Sequence, residues 1–318
     1  MDFSLVSSSP DAQRLLEAFM ARRSPATRAT YLQGLKAWAQ YLGAPSAAVA
    51  TQWLIGAGVL EGNARVLEFL DAQKAAGLSA NTLSIRLAAL RSMVSLANLL
   101  GLCTWSLQVR GPKAKAFRDT RGPGPDRVQL VIRAAAGQAS KVKASRDVAI
   151  CRFLHDLALR RGEVASLRFE DVDLDGRRLW VKAKGAMDRD AVTLPEGTAA
   201  ALNAWLTWRG QAPGPLFHRL DNAGLNLEVL RPLTGRAVWD LVNELAGGCG
   251  FDARPHGFRH SAITEALDAG FTLPEVHQFG RWQGKSYGII QTYDDNRRDR
   301  GGEIAGALAR RMEYARIQ

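Results

Sequence analysis

Towards its C-terminal end the chain carries His256-Gly257-Phe258-Arg259-His260, then Gly280-Arg281-Trp282, then Gln291-Thr292-Tyr293. On a helix His256 and Arg259 share a face, and His260 stands one turn beyond His256. A guanidinium offers a rigid fork of donors that fits phosphate oxygens. An imidazole can donate to the same oxygens or move a proton near neutral pH. A tyrosine further along can act as a nucleophile. Together these residue types describe a site for phosphoryl transfer. A His-x-x-Arg pair alone is more often a solvated or capping pair, so the rest of the chain has to decide.

The elements that must position these groups follow from the apolar spacing. A short helix is expected over Ala12 to Met20, and another from Ser24-Pro25-Ala26-Thr27, with Tyr31, Leu35, Trp38 and Leu42 at helical intervals. A third covers about Ala64 to Ala75, closed by Gly77. Ser79-Ala80-Asn81-Thr82 opens a fourth, with a stripe of Leu83, Leu87, Leu90 and Val94. Arg28, Lys36, Arg86 and Arg91 fall on polar faces, where they are solvated or meet phosphates. Residues 110–125 change character, with Gly111-Pro112-Lys113-Ala114-Lys115 and Arg121-Gly122-Pro123-Gly124-Pro125. Pro and Gly stop helices there, and the basic residues between them read as a linker crossing a nucleic-acid backbone. Helices then resume, one of them over Arg146 to Leu159. A hairpin follows, with strands around Leu179, Val181 and Ala183 and over Ala191 to Leu194, and with Lys184 at its rim. Helices are expected over Glu196 to Trp208, from Thr234 to Gly247, from His256 to Gly270, and briefly from Thr272. The tail, Glu303 to Tyr314, carries Ile304, Leu308 and Met312 on one face.

The 318 residues favour two domains, and 47% hydrophobic content suffices for a sizeable core. Net charge is +11 and the pI about 10.0. Residues 1–111 carry 10 basic and 6 acidic groups, and the remainder carries 32 and 25. Both halves are therefore basic, which suits a clamp around a polyanion. No stretch is apolar and long enough to span a membrane, and Met1-Asp2-Phe3-Ser4 does not open a signal peptide. Cys103, Cys151 and Cys249 have no metal-type spacing and read as buried thiols in a reducing cytoplasm.

Taken together and in this order, these motifs resemble the tyrosine recombinases, or phage-type integrases, over most of the chain. Leu159-Arg160-Arg161-Gly162-Glu163 is similar to the family's first arginine motif, which makes Arg160 the first catalytic arginine and Glu163 its acidic companion. Ala183-Lys184-Gly185 resembles the hairpin lysine, and the His256 run resembles the His-x-x-Arg-His box, with Arg259 the second arginine. Tyr293 falls where the nucleophile should be. The last segment departs from the family pattern. Its tyrosine usually lies about ten residues after the glycine of a Gly-His or Gly-Trp pair; here Tyr293 is 13 after Gly280, and Tyr287 lies inside that window. Ile289-Ile290-Gln291-Thr292-Tyr293 is the better match to the run into the nucleophile. The third His/Trp role falls on Arg281 by alignment and on Trp282 by chemistry.

The resemblance implies a mainly α fold with a small β-sheet, arranged as a two-domain clamp. Residues 1–110 would be the helical core-binding domain, 111–125 the basic linker, and 126–318 the catalytic domain with its C-terminal helix. It implies a site-specific recombinase acting on double-stranded DNA. Arg160, Arg259 and His256 would hold the phosphate, Tyr293 would attack, and Lys184 would protonate the leaving oxygen. Glu163 and His260 would orient those groups. No cofactor, metal or ATP is implied. Self-assembly as dimers or tetramers on DNA and a place at the bacterial nucleoid in the cytoplasm are. A type IB topoisomerase-like nicking-closing enzyme and an inactive DNA-binding protein of the same fold are the alternatives. A basic clamp also implies binding that weakens steeply with salt.

Overall fold

The computed structural model describes residues 9–112, 122–182, 188–220, 231–284, 287–290 and 293. The chain forms two compact units, Met1–Ala116 and Phe117–Gln318. The division falls inside the Pro/Gly-rich basic segment, of which residues 113–121 lie outside the described ones.

The first unit is helical among its described residues: α1 (Pro10–Ala21), α2 (Pro25–Leu42), α3 (Ala47–Gly56), α4 (Gly58–Ala75) and α5 (Ala80–Leu99). Ser9, Ser24, Ser46 and Ser79 cap α1, α2, α3 and α5, each hydroxyl accepting a first-turn backbone N–H. The periodicity left α3 unassigned, because residues 47–56 are apolar nearly all round and show no stripe. Trp38 is fully buried among these helices, and its Nε1 donates to the Ala50 carbonyl at 3.2 Å. Trp105 lies so close to α4 that a Cβ at Gly62 would stand 2.5 Å from its ring.

The second unit holds α6 (Pro125–Ala136), α7 (Lys141–His155), the six-residue α8 (Arg161–Ser166), α9 (Glu196–Arg209), α10 (Gly235–Gly248), α11 (Pro255–Asp268) and α12 (Leu273–Phe279). A three-stranded antiparallel sheet in the order β1 (Val172–Asp173), β2 (Arg178–Lys182), β3 (Arg189–Thr193) flanks them. Val181 pairs with Asp190 and Lys182 with Arg189; residues 183–187 lie outside the described ones. Phe153, Leu154, Leu202, Trp205, Phe217, Val242 and Phe258 belong to one core. The fold is thus mainly α with a small sheet.

One boundary matters for the site. The apolar pattern extends a helix to Leu159, but α7 stops at His155. Ala158 takes φ +46°, a left-handed conformation that costs an alanine roughly 1 kcal/mol and turns the chain into α8. Leu157, Ala158 and Leu159 stay buried through this turn, which is why their hydropathy reads as helix.

Candidate active site

The turn after α7 presents the carbonyls of Leu157 and Ala158, and two buried arginines take them. Arg259, on the first turns of α11, is fully buried. Its Nη1 donates to Ala158 and its Nη2 to the Gly280 carbonyl, both at 2.5 Å. Its Nε–H finds no acceptor among the described residues. Arg281 follows α12 at φ +49° and donates to Leu157 (2.9 Å), Phe279 (3.1 Å) and Ala158 (3.0 Å). Burial, then the positive charge of Arg160, pushes the Arg259 pKa down to about 10, and Tyr293 beside it works the other way. Burial also lowers the Arg281 pKa, and Glu163 opposes the shift.

Glu163 joins these arginines to Arg160. It is buried on α8 and reaches back to the helix start, where its Oε2 accepts the Arg160 backbone N–H at 2.9 Å. Its Oε1 accepts from Arg160 Nη1 at 2.6 Å, and its Oε2 from Arg281 Nη2 at 3.4 Å. The Arg160 side chain keeps 28% of its surface exposed, so it is the arginine of this group with a face open to solvent.

Tyr293 closes the other side. Only 6% exposed, it stands among three rings: His256 at 5.7 Å between centroids, His260 at 4.8 Å and Trp282 at 5.3 Å. Its hydroxyl lies 3.5 Å from His256 Nε2, a long contact that a substrate can tighten. Its backbone carbonyl accepts from Thr264 Oγ1 at 2.7 Å, fixing the chain behind the ring. The ring of Trp282 lies 4.9 Å from the Arg259 guanidinium carbon, in cation–π range. Burial of the His256 ring, then Arg259, His260 and Arg160, lowers its pKa below the usual imidazole range. The ring is therefore neutral at neutral pH and able to take a proton.

Arg160, Glu163, His256, Arg259, His260, Arg281, Trp282 and Tyr293 thus form one connected set. Tyr287 stands outside it, one ring further from Tyr293: it is 40% exposed and packs edge-on against His277 at 5.3 Å, and His277 in turn lies 5.8 Å from Trp282. Lys184 lies outside the described residues, as do Gln291 and Thr292, Asp294 and Asp295, and the tail 303–314. Thr264 was legible in principle, one turn after His260 on the same helix face. The Leu157 and Ala158 carbonyls had no side-chain signal. No cluster of three or more His, Cys, Asp or Glu suited to a metal occurs among the described residues, nor does a helix long and apolar enough to cross a membrane.

Residues 125–299 match the family model described as the phage integrase family. A tyrosine recombinase of Synechocystis sp. is 35% identical over 307 residues, covering 93% of this chain and 95% of that protein. One of Synechococcus elongatus is 36% identical over 306 residues, covering 94% and 92%. Among solved structures, a lambda integrase dimer bound to a COC′ core site matches with a TM-score of 0.64 at 15% identity, covering 92% of this chain and 97% of that one. The Tn1549 transposon integrase in complex with circular intermediate DNA matches at 0.65 and 14% identity, covering 92% and 98%. At such identities the structural likeness concerns the fold.

Proposed function

This chain belongs to the phage integrase family of tyrosine recombinases, and from that premise we propose that it is a site-specific DNA recombinase that cleaves and rejoins strands through Tyr293. The Tyr293 hydroxyl would attack a backbone phosphorus, forming a 3′-phosphotyrosyl bond and releasing a 5′-hydroxyl. Negative charge grows on the non-bridging oxygens as this happens. Arg160 and the Nε–H of Arg259, which has no acceptor among the described residues, are the donors suited to receive it. His256, neutral and 3.5 Å from the phenol, would accept its proton or donate to the same oxygens. Lys184 would protonate the leaving 5′-oxygen, on the strength of the family motif alone. The covalent bond retains the energy of the phosphodiester, so a new 5′-hydroxyl can reseal the strand without ATP. The two arginines supply the charge stabilisation that a metal supplies elsewhere.

Trp282 is the better occupant of the third His/Trp role, since its ring touches Tyr293 and lies over Arg259. Arg281 would act from behind, holding Glu163 and the Ala158 turn. Arg259 is fully buried with the Trp282 ring over its guanidinium, so a phosphodiester would reach it once that cover shifts. The basic first unit would grip the duplex, and copies would assemble on DNA, as the lambda integrase dimer does on its core site.

The observation that carries this reading is the convergence of Tyr293 on His256, His260 and Trp282. The test is to incubate the protein with sheared genomic DNA of its source cell, denature in SDS, and recover DNA that remains attached to protein. Attached fragments sharing one sequence are expected, lost in Tyr293→Phe. Tight binding without any attached DNA would favour an inactive DNA-binding protein.

A further inference from the structure

Away from the reacting groups, His155 ends α7 with both ring nitrogens against carboxylates. Nδ1 lies 3.0 Å from Asp156 Oδ1 and Nε2 3.0 Å from Glu265 Oε1. A neutral imidazole has one N–H and one lone pair, so one of these contacts would set a lone pair against an anionic oxygen. The geometry therefore calls for an imidazolium. Asp156 is itself anchored, its Oδ2 accepting from Arg152 Nη1 (3.0 Å) and from Thr198 Oγ1 on α9 (2.6 Å). Glu265 belongs to α11, next to the Thr264 that holds the Tyr293 carbonyl. Two residues beyond His155 begin the carbonyls that receive Arg259 and Arg281.

We infer that His155 is a positioning residue for strand cleavage: its doubly paired ring fixes the end of α7 to α11, and so sets the Leu157–Ala158 carbonyls against Arg259 and Arg281. The inference rests on the recombinase reading above. Its physical logic is leverage. α11 carries His256, Arg259 and His260, and the turn after α7 carries the acceptors of the buried arginine fork. A brace between these two elements decides whether that fork meets its carbonyls. Removing it changes the register of the site without touching a group that contacts DNA.

The brace is sensitive to pH. Burial by itself would lower the His155 pKa, but the hydrogen bonds to Asp156 and Glu265 raise it to about 9. The charged groups around the ring are Asp156 just after α7 and Glu265 from α11, which contact it, and Arg152 of α7 and Arg133 of α6, which line the same cleft. A histidine whose folded pKa is raised contributes fully below its unfolded value of about 6.5 and loses the contribution as pH climbs through about 9.

The experiment has two readouts on the full chain. The first is an NMR titration of the histidine rings in DNA-free protein. A ring with pKa well above 8, absent from His155→Gln, is expected; a His155 titrating near the ordinary value of about 6.5 overturns the inference. The second is the single-turnover rate of SDS-resistant adduct on a suicide duplex built from the recovered site, from neutral pH to about pH 10. His155→Gln should bind DNA as wild type does but cleave roughly tenfold to a hundredfold more slowly at neutral pH. It should also lack the wild-type decline centred near pH 9. Cleavage by His155→Gln at the wild-type rate with the wild-type profile overturns the inference. Glu265→Gln, a partly exposed site, takes its place if His155→Gln does not fold, and cleavage there at the wild-type rate overturns the inference equally. A wild-type protein that forms no adduct at all contradicts the recombinase reading instead, and the titration still reads the brace.

Discussion

Arg259 and Arg281 donate to the same acceptor, the carbonyl oxygen of Ala158, at 2.5 and 3.0 Å. Two like charges converge there because a buried turn carbonyl, with two lone pairs and little access to water, is a strong acceptor, and because Glu163 offsets part of the positive charge. The turn that exposes this oxygen exists because α7 ends at His155 and Ala158 adopts a left-handed backbone.

That arrangement makes Arg281 a test of how the site is held. Arg281→Lys keeps the charge but replaces a planar fork by a single ammonium, which cannot span Leu157, Phe279 and Glu163 together. A loss of about 2–4 kcal/mol in urea unfolding is expected, together with slower cleavage. Unchanged stability would mean that the carbonyls are satisfied without the fork.

The assignment of the nucleophile separates two tyrosines. Tyr293→Phe keeps the ring between His256, His260 and Trp282 and removes a hydroxyl whose contact to His256 is 3.5 Å long. Stability should therefore change by less than about 1 kcal/mol while the DNA adduct disappears. Tyr287→Phe, at an exposed ring against His277, should leave the adduct intact. Loss of the adduct in Tyr287→Phe alone would reverse the assignment.

Acid should silence cleavage through His256. Its folded pKa lies below the unfolded value, so the neutral ring prevails at neutral pH and protonates only as pH falls below about 6.5. The sign for stability is the same: between the folded and unfolded values the unfolded chain binds more protons, so stability drops as pH falls through that window. Adduct formation rates measured from neutral to acid pH should decline there, and His256→Asn should abolish the decline. A rate that rises on acidification would exclude the neutral ring as proton acceptor.

Gly280 provides a steric check on Trp282. A Cβ built at Gly280 overlaps the Trp282 ring, far inside contact distance. Gly280→Ala must displace the indole from Tyr293 and from Arg259, at a cost of roughly 1–3 kcal/mol. Lower Tm and slower cleavage are expected, and wild-type values for both would show that Trp282 has room to move without consequence.

The basic halves, the helical stripes, the hairpin and the motifs that carry the family resemblance were all legible in the sequence. Each is a local or one-dimensional property: charge is counted, periodicity is read along one element, and a motif is a spacing. What the sequence alone left open was decided by contacts between residues distant along the chain. Arg281 and Trp282 are adjacent, yet one guanidinium turns back to carbonyls more than a hundred residues earlier while the indole turns towards Tyr293. Tyr287 and Tyr293 are equivalent as residue types, and only packing sets one beside His256. The early end of α7 was hidden because buried turn residues are as apolar as helix residues. The acceptors that hold the arginines are backbone oxygens, which every residue carries and no side chain announces.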